Sequence, residues 1–470
     1  MSDPDKVAAF TAVLRKDLSS FIQQSFATVD PGTQYVHEWY VDAIAYQLDR
    51  VARGEITRLI ITMPPRTMKS ISGSVAFPAY LLGHYPRKKL LTASYADGLA
   101  EKLALDCQKF MMAPWYQRCF PQTRIARGRS SRRDFETTLG GGRFSTSIGG
   151  TVTGRGGDII IIDDPHKPDE ATSDAKRNAV LDWYRSTLLS RLNDPVKSAI
   201  ILIQQRVHEE DLAGMLLEQG GWTHLNLPAI AEERMEFPMG PDRSLIFIEG
   251  IPLFSGRLPP DLLERRRKEL GSYVYAAQYQ QRPAPLGGGL VKWSWFRTYD
   301  EPPTRCDDDR IVQSWDTACN AEEANDYSVC TTWLVRGASA WLLDVIRTKL
   351  EFPQLRRRII KEAGRWDASL VLIEQAGSGI SLYQDLYDNT LLNVRGVKPR
   401  DDKATRLLSV TPLIECGRIA IPKEAPWLAE FQREIVNFPR GKHDDQVDSL
   451  SQFLKWLGEP DGRVLIDSIS

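Results

Sequence analysis

The sequence predicts two α/β domains in tandem, and three observations carry that expectation. In the first half, short apolar runs at 59–62, 89–94, 159–162 and 199–203 alternate with helical stretches, the pattern of a parallel sheet. The stretch PAPLGGG (283–289) combines Pro and Gly in a non-periodic connection and marks a linker. Beyond it, the runs 310–316, 328–335 and 340–346 follow closely on one another, as in an antiparallel meander. The stretch 369–379 reads as a strand running into a glycine-bearing turn. Near the end, Val447, Leu450, Leu454 and Leu457 recur on one face of a helix. The expected organisation is a first domain over 1–255, with 1–45 as an N-terminal segment, and a linker region over 256–290 that includes the charged helical stretch 259–270. A second domain over 291–457 and a tail over 458–470 complete it.

A chain of 470 residues is long enough for two or three domains with proper cores. Its hydrophobic share of 42% and charged share of 26% are ordinary for a soluble globular protein. The formal net charge of −1 gives no global signature of nucleic-acid binding, but a local basic track is compatible with it. The six cysteines, Cys107, Cys119, Cys306, Cys319, Cys330 and Cys416, form no C-x-x-C pair. They read as reduced thiols of a cytosolic protein rather than a disulfide or zinc framework. The N-terminus carries acids where a signal peptide has a basic region, and no apolar run approaches the roughly 18 residues of a membrane span.

The run 59–62 leads into MPPRTMKS (63–70). A phosphate-binding loop needs a strand, a tight turn whose N–H groups face phosphate, a lysine for the β- and γ-oxygens, and a Ser or Thr for Mg²⁺. This stretch supplies the order, with Lys69 and Ser70 at its end and a helix starting near Lys69. Met63 and Met68 stand where the usual pattern has glycines. Pro64 and Pro65 have no N–H, so Arg66, Thr67, Met68, Lys69 and Ser70 are expected to do most of the cradling. Alone, the motif is weak. Its partner is GGDIIIIDDPHK (156–167), an apolar strand ending in Asp163 and Asp164. Such a strand can fix the first carboxylate beside Mg²⁺ and let the second orient an attacking water. Read alone, it is a core strand followed by an acidic turn. The pair together indicates a P-loop NTPase of the ASCE type.

Three further stretches attach to that site. The strand 199–203 ends in Gln204 and Gln205, where ligands bind in open α/β sheets, although a plain strand-to-loop boundary reads the same way. Arg155, between glycines in TVTGRGG, has three readings: the γ-phosphate of a neighbouring subunit, DNA, or a surface cap. Gln34, Tyr35 and Trp39 are open between an adenine grip and an N-terminal core helix.

The second half carries a different set. Asp316 ends one apolar run, Glu374 ends another, and Asp444, Asp445 and Asp448 open the terminal helix. Acids at strand ends and helix starts can converge from distant parts of a chain. A carboxylate cluster of this kind holds two Mg²⁺ or Mn²⁺ ions that activate water and stabilise the leaving oxygen of a phosphodiester. A meander strand with Asp, a later strand with Glu and a terminal helix with Asp is the order of an RNase H-like nuclease. Each acid alone reads as a solvated surface group or helix cap. Asp326 is a candidate accessory acid or a turn residue.

An ATPase domain followed by such a nuclease resembles the large terminase subunit of tailed bacteriophages and prophages. The residues that carry the resemblance are MPPRTMKS, TGRGGDIIIIDDPHK, ILIQQRVHEEDLAG, SWDTA, LIEQAGSG and GKHDDQVDSL, spread over roughly residues 33 to 457. The resemblance implies a DNA-packaging motor that uses ATP and Mg²⁺, with Mn²⁺ able to substitute in the nuclease site. It implies double-stranded DNA, the portal protein, the procapsid and the small terminase subunit as partners. A soluble monomer in the host bacterial cytoplasm, forming a ring on the portal and having no membrane, is implied as well. By residue, it implies Lys69 and Ser70 for phosphate and Mg²⁺, Arg66 as the loop arginine, and Asp163 as the metal-binding acid. Asp164 stands where the family usually has a catalytic Glu. Gln204 and Gln205 fall in the coupling motif. Asp316, Glu374 and Asp445 are implied as nuclease ligands, with Asp444 or Asp448 as a further one. Candidate DNA contacts are Arg124, Arg127, Arg129, Arg132 and Arg133, five arginines in ten residues, then the run 264–270, and Lys398, Arg400, Lys403 and Arg406. Two rival readings remain: a P-loop helicase or repair nuclease, and an inactive prophage remnant that only docks on portal or DNA.

Overall fold

The computed structural model describes residues 3–283, 289–317, 327–441 and 443–459. Asp326, Cys319, most of PAPLGGG and the tail beyond 459 lie outside the described residues, as does the side chain of Arg129. The chain divides into two compact units, the first made of Met1–Arg267 and Tyr273–Ala284, the second of Lys268–Ser272 and Pro285–Ser470. The stretch expected as a linker region, 256–290, contains the helix Pro260–Gln278, interrupted at Gly271, where φ is 77°.

The first unit contains β1 (Arg58–Thr62), β2 (Lys89–Ser94), β3 (Ile125–Ser130), β4 (Asp134–Thr137), β5 (Gly142–Ser147), β6 (Ile159–Asp163), β7 (Ala199–Gln204) and β8 (Thr223–Asn226). They form one sheet in the order β3-β4-β5-β2-β6-β7-β1-β8. From β5 to β8 every neighbouring pair is parallel, while β3 and β4 add an antiparallel edge. Side chains alternate across a strand, so a strand buried on both faces reads as a continuous apolar run. Leu59, Ile61, Ile159, Ile161, Ile201 and Ile203 enter one apolar layer, and Ile60, Ile160, Ile162, Ile200 and Leu202 enter the other. Because the central strands run in the same direction, Thr62, Asp163 and Gln204 all end at one edge of the sheet. The sequence did not announce strands β3–β5, nor the hairpin β9 (Met235–Gly240) and β10 (Arg243–Phe247). These carry mixed polar residues rather than apolar runs.

The helix after β1 starts at Lys69, widens into a π turn over Ile71–Ala76, and continues as Phe77–His84. Pro78 explains the change. It has no N–H to give the carbonyl four residues back, on Ser74. A fully buried arginine supplies that donor from the neighbouring strand: Arg143 Nη1 donates to Ser74 O at 2.6 Å, and its Nε donates to Ser145 Oγ at 3.0 Å. The helix that begins with the phosphate-loop lysine is thereby fastened to β5.

The second unit contains β11 (Arg297–Tyr299), β12 (Arg310–Asp316), β13 (Ser328–Arg336), β14 (Ser339–Thr348), β15 (Leu370–Glu374), β16 (Val394–Val397) and β17 (Ile419–Pro422), in the order β11-β17-β14-β13-β12-β15-β16. The expected meander is present, since β12–β13 and β13–β14 are antiparallel. β12 and β15 are parallel neighbours with Trp315 opposite Ile373, so Asp316 and Glu374 are the next residues on adjacent strands. One face packs on the helices Phe352–Trp366 and Gly379–Asn389. The other packs on Lys403–Glu415, Leu428–Asn437 and Asp445–Gly458. Trp315, Val371 and Ile373 belong to the first face. Leu372 belongs to the second, and by alternation Asp316 and Glu374 project on that side.

Replacing Arg143 with Met keeps most of the side-chain volume but leaves Ser74 O without its donor. The expected loss is about 2 kcal/mol of stability in the first unit, read as a lowered denaturation midpoint at unchanged slope.

Candidate nucleotide and metal sites

The turn after β1 adopts the conformation glycines would favour, without glycines. Arg66 and Met68 both have φ of 64°, while Thr67 between them does not have positive φ. Alternation of this kind turns successive backbone N–H groups toward one side, forming an anion-binding concavity. The left-handed conformation costs a non-glycine residue about 1–2 kcal/mol. Two contacts hold the turn in place. Thr67 Oγ1 donates to Pro64 O at 2.6 Å, and the Ser72 N–H donates to Met68 O at 2.9 Å. Met63 is fully buried in the core, and the partly buried Met68 packs against it.

Lys69 and Ser70 meet the two acids that end β6. Lys69 Nζ lies 2.8 Å from Asp164 Oδ1, and Ser70 Oγ donates to Asp163 Oδ1 at 3.1 Å. Asp164 also has positive φ, 44°, and its Oδ1 accepts the Gln205 N–H at 3.1 Å. Burial, and then the charge of Asp164, push Asp163 up to about 6. Its Oδ2 is buried without a hydrogen-bond partner among the described residues. β7 lies between β1 and β6, and Gln204 at its end pairs with Thr62. Both side-chain atoms of buried Gln204, and Oε1 of Gln205, also have no partner among the described residues. Lys69, Ser70, Asp163, Asp164 and the backbone of Gln204 and Gln205 are thus brought together at one sheet edge.

The next stretch is a built turn that the sequence reading left unexplained. Arg206 Nε donates to Asp211 Oδ1 and Oδ2 at 2.9 and 3.0 Å, both groups being buried. Asp211 caps the helix Leu212–Gln219 through the Gly214 N–H. A Cβ at Gly214 would lie 1.8 Å from Glu209 O, which is why glycine stands there. Two buried histidines serve as acceptors here. His166 Nε2 accepts the Leu212 N–H and His208 Nδ1 accepts the Glu210 N–H. Both are held neutral, with values lowered to about 4 chiefly by burial, and Arg177 pushes in the same direction.

Other sequence candidates fall elsewhere. Arg155 forms an ion pair with Asp134 at 2.6 Å and lies over the Phe144 ring. Tyr35 packs on Phe26, and Gln34 is exposed on the segment that precedes the helix Trp39–Ala52. Trp39 packs against Phe237 and Phe247 of the β9–β10 hairpin, a core contact. Arg124 caps backbone carbonyls of Phe120 and Thr123. Arg132 and Arg133 pair with Glu101 and Asp97, whereas Arg127 is exposed. Pro65 is half-buried in the turn.

In the second unit, carboxylate oxygens of Asp316, Glu374 and Asp448 lie within 4.8 Å of one another. The first two come from adjacent parallel strand ends. A Cβ at Gly379 would lie 2.1 Å from Glu374 O, so the glycine of the AGSG turn lets the helix Gly379–Asn389 start directly behind the acid. Asp448 is set by a buried polar network on the helix Asp445–Gly458. Ser449 Oγ donates to Ser314 O and Ser314 Oγ donates to Ser449 O, each at 2.8 Å, and Gln452 Nε2 donates to Ser314 Oγ at 3.0 Å. These bonds fix the register of the helix against β12, one residue from Asp448. The sequence reading named Asp445 first, with Asp444 beside it. The structure turns Asp445 toward Arg347, 3.8 Å away, and Asp444 to Lys403 at 2.7 Å, and puts Asp448 in the cluster.

Two cations complete the cluster. Arg406 bridges Glu374 Oε1 at 2.5 Å and Asp448 Oδ1 at 2.6 Å, and Lys403 reaches Asp448 Oδ2 at 2.7 Å. Burial and the neighbouring acids Glu374 and Asp448 hold Asp316 well above the carboxylate range. Burial raises Asp448 to about 6, with Arg406 and Lys403 opposing the rise. Lys403, a DNA-contact candidate from the sequence, is part of this cluster.

Residues 313–456 match the family of terminase RNaseH-like domains. No curated protein matches the chain. Among solved structures the chain is similar to a large terminase from a thermophilic bacteriophage, at 11% identity and a TM-score of 0.50, covering 87% of this chain and 98% of that one. It is also similar to the HK97 bacteriophage large terminase, at 10% identity and a TM-score of 0.37, with 94% and 99% covered. A third match is the large terminase nuclease from thermophilic phage G20c with bound magnesium, at 16% identity and a TM-score of 0.30, with 37% and 98% covered. At these identities the likeness is one of fold. The family match and the shared fold bear out the resemblance to large terminase subunits and the plan of a parallel α/β unit followed by an RNase H-like one. Among the described residues, no helix is long and apolar enough to cross a membrane.

The two acceptor histidines give a pH prediction. Their folded values lie below the unfolded value of about 6.5, so the unfolded chain binds more protons as pH falls through that range. Stability of the first unit should fall between about pH 6.5 and 4, by on the order of 1–2 kcal/mol per histidine at pH 5. Denaturant titrations at pH 7.5 and 5.0 check this, and His208→Gln should reduce the difference.

Proposed function

We propose that this large-terminase-like chain is the motor subunit of a viral DNA-packaging machine. In this reading ATP hydrolysis on the first unit moves double-stranded DNA through the portal into the procapsid, and the second unit cuts that DNA at the start and end of packaging. The observation that carries the reading is the presence on one chain of two assembled sites. One joins a phosphate-loop lysine and hydroxyl to paired strand-end acids; the other joins three acids on an RNase H-like sheet.

The residues fit the ions this function implies. The Asp163 carboxylate and the Ser70 hydroxyl offer hard oxygen ligands, and so do Asp316, Glu374 and Asp448. When bound, Mg²⁺ or Mn²⁺ supplies charge neutralisation at the phosphates in the first site and Lewis-acid activation in the second. The chain's own residues do the rest. ATP phosphates entering the Arg66–Ser70 turn meet its N–H groups and draw Lys69 away from Asp164. The freed Asp164 carboxylate then accepts a hydrogen bond from the attacking water, held in place through the Gln205 N–H. Gln204, whose buried side chain has no hydrogen-bond partner among the described residues, senses whether the γ-phosphate is present, and the rigid Arg206–Asp211 turn passes its position to the following helix. Arg155 acts as a finger toward a neighbouring subunit's phosphate once released from Asp134.

On the second unit, Arg347, Arg433, Arg440 and His443 line an open cleft together with Glu430, which pairs with Arg347, and Glu434. The arginines suit a phosphate backbone read without sequence preference. With Arg127 on the first unit, they are the DNA contacts of this reading. The small terminase subunit and a ring of copies on the portal are its partners, and the free chain is monomeric.

Packaging of DNA into procapsids by wild type and two variants tests the reading. Lys69→Ala should abolish ATP turnover and packaging. Asp316→Ala should keep ATP turnover and lose DNA cutting by at least about a hundredfold. Intact ATP turnover in Lys69→Ala, or intact cutting in Asp316→Ala, would contradict it.

A further inference from the structure

The strand that ends in Asp164 has two neighbours, and they border different spaces. On the β7 side Asp164 meets Lys69 and the Gln205 N–H. On the β2 side the Tyr95 N–H donates to Asp164 O at 3.3 Å. There Tyr95, Gly149 and the run 165–167 wall a cavity of about 270 Å³, flanked by Lys176 of the helix Asp174–Trp183. Lys69, Ser70, Asp163 and Asp164 are not among the residues that line it.

The fold fixes one donor of this cavity. His166 is 7% exposed. Its Nε2 accepts the Leu212 N–H at 2.9 Å, which leaves the ring proton on Nδ1. That Nδ1–H has no acceptor among the described residues, and the ring lines the cavity. Buried donors are rarely left without an acceptor, so its place calls for one in the cavity. The backbone is shaped to match: Gly149 has φ of 78° in a turn closed by the Gly150 N–H on Ser147 O at 2.9 Å, and it adds no side chain to the wall.

The charge around that donor is positive. Lys176 is exposed and has no ion pair among the described residues. Lys167 pairs at 3.0 Å with Glu170, the one acid among the described residues of the wall. Two lysines against one acid leave one positive charge in excess, and Tyr95 adds an exposed hydroxyl. A fixed N–H beside free ammonium groups suits an anion with several acceptor oxygens. A carboxylate offers oxygens in one plane only. A phosphate group offers them in a tetrahedron, so that His166, Lys176 and Tyr95 can each approach from a separate direction. The carboxyl edge of a parallel sheet is also where ligands of such folds bind.

We propose that this cavity is a second phosphate-binding site of the first unit, separate from the phosphate loop, where His166 Nδ1–H and Lys176 hold a phosphate group. Orthophosphate and the phosphodiester backbone of DNA share that chemistry. The proposal goes beyond the motor reading, because it requires binding alone and not turnover. An acceptor at Nδ1 makes Nε2 a stronger acceptor for the Leu212 N–H. Occupancy is therefore felt at the start of the helix Leu212–Gln219.

Calorimetric titration of orthophosphate into the full chain, with Mg²⁺ and a non-hydrolysable ATP analogue present to fill the phosphate loop, tests it. Wild type should bind one orthophosphate. Lys176→Glu and His166→Leu should each weaken that binding by at least about tenfold. Lys197→Glu, an exposed lysine just before β7 at the opposite sheet edge, should leave it unchanged. If His166→Leu does not fold, as judged by circular dichroism, Lys176→Glu and the Lys197→Glu control decide. A short DNA duplex separates the two sources. Duplex that displaces orthophosphate and itself binds about tenfold more weakly to Lys176→Glu identifies a backbone phosphate. Duplex that binds without displacing orthophosphate identifies free phosphate. The proposal is overturned if neither ligand's binding depends on Lys176, or if Lys197→Glu weakens binding equally. Wild type that turns over ATP yet binds no second phosphate group would overturn it and leave the motor reading intact.

Discussion

A carboxylate withdrawn from water needs a countercharge, and both candidate sites are arranged around that requirement. Parallel strands end at the same edge of a sheet, so acids that terminate neighbouring strands are forced together. Asp163 and Asp164 end β6, and Asp316 and Glu374 end β12 and β15 side by side. Left alone, such groups would repel and take up protons. In the first unit Lys69 and Ser70 answer them. In the second, Arg406 and Lys403 do. The same cations that make the folded chain tolerable without ligands are the groups a phosphate or a metal ion must engage or displace. Folding and ligand binding are therefore coupled through the same few ion pairs.

Conformation is forced at the same places. The phosphate-loop turn has left-handed backbone at Arg66 and Met68, and the acid that faces it has left-handed backbone at Asp164. All three are non-glycine residues, and such strain persists only where the surroundings over-determine it. Here the surroundings are the buried Thr67–Pro64 bond, the packing of Met68, and the ion pair between Lys69 and Asp164. The helix that follows is anchored in turn by Arg143, whose guanidinium replaces the backbone donor that Pro78 lacks. The turn is held by contacts where a glycine-rich loop would rely on freedom.

How much of this was legible in the sequence depends on range. The central strands announced themselves, because a strand buried on both faces is an unbroken apolar run. Their ends were legible too, since a polar residue after Ile162, Ile203, Trp315 or Ile373 marks the sheet edge. The choice among Asp444, Asp445 and Asp448 was not. All three open the same helix, and only the exchange of hydrogen bonds between Ser449 and Ser314 fixes which one faces β12. Lys403 and Arg406 read as one more basic stretch beside the nuclease, because nothing local says that their helix packs on the acids. Strands β3 to β5 were silent for a related reason: they carry polar residues, in β5 even where buried, and so give no apolar run.

Strand-end acids and resident cations define two separate candidate sites on one chain. Anomalous scattering from crystals grown with Mn²⁺ tests it most directly. Manganese density is expected among Asp316, Glu374 and Asp448, with a further peak beside Ser70 and Asp163 only when an ATP analogue is added. A peak at Asp444 and Asp445 in place of the first, or nucleotide bound away from Lys69, would contradict it.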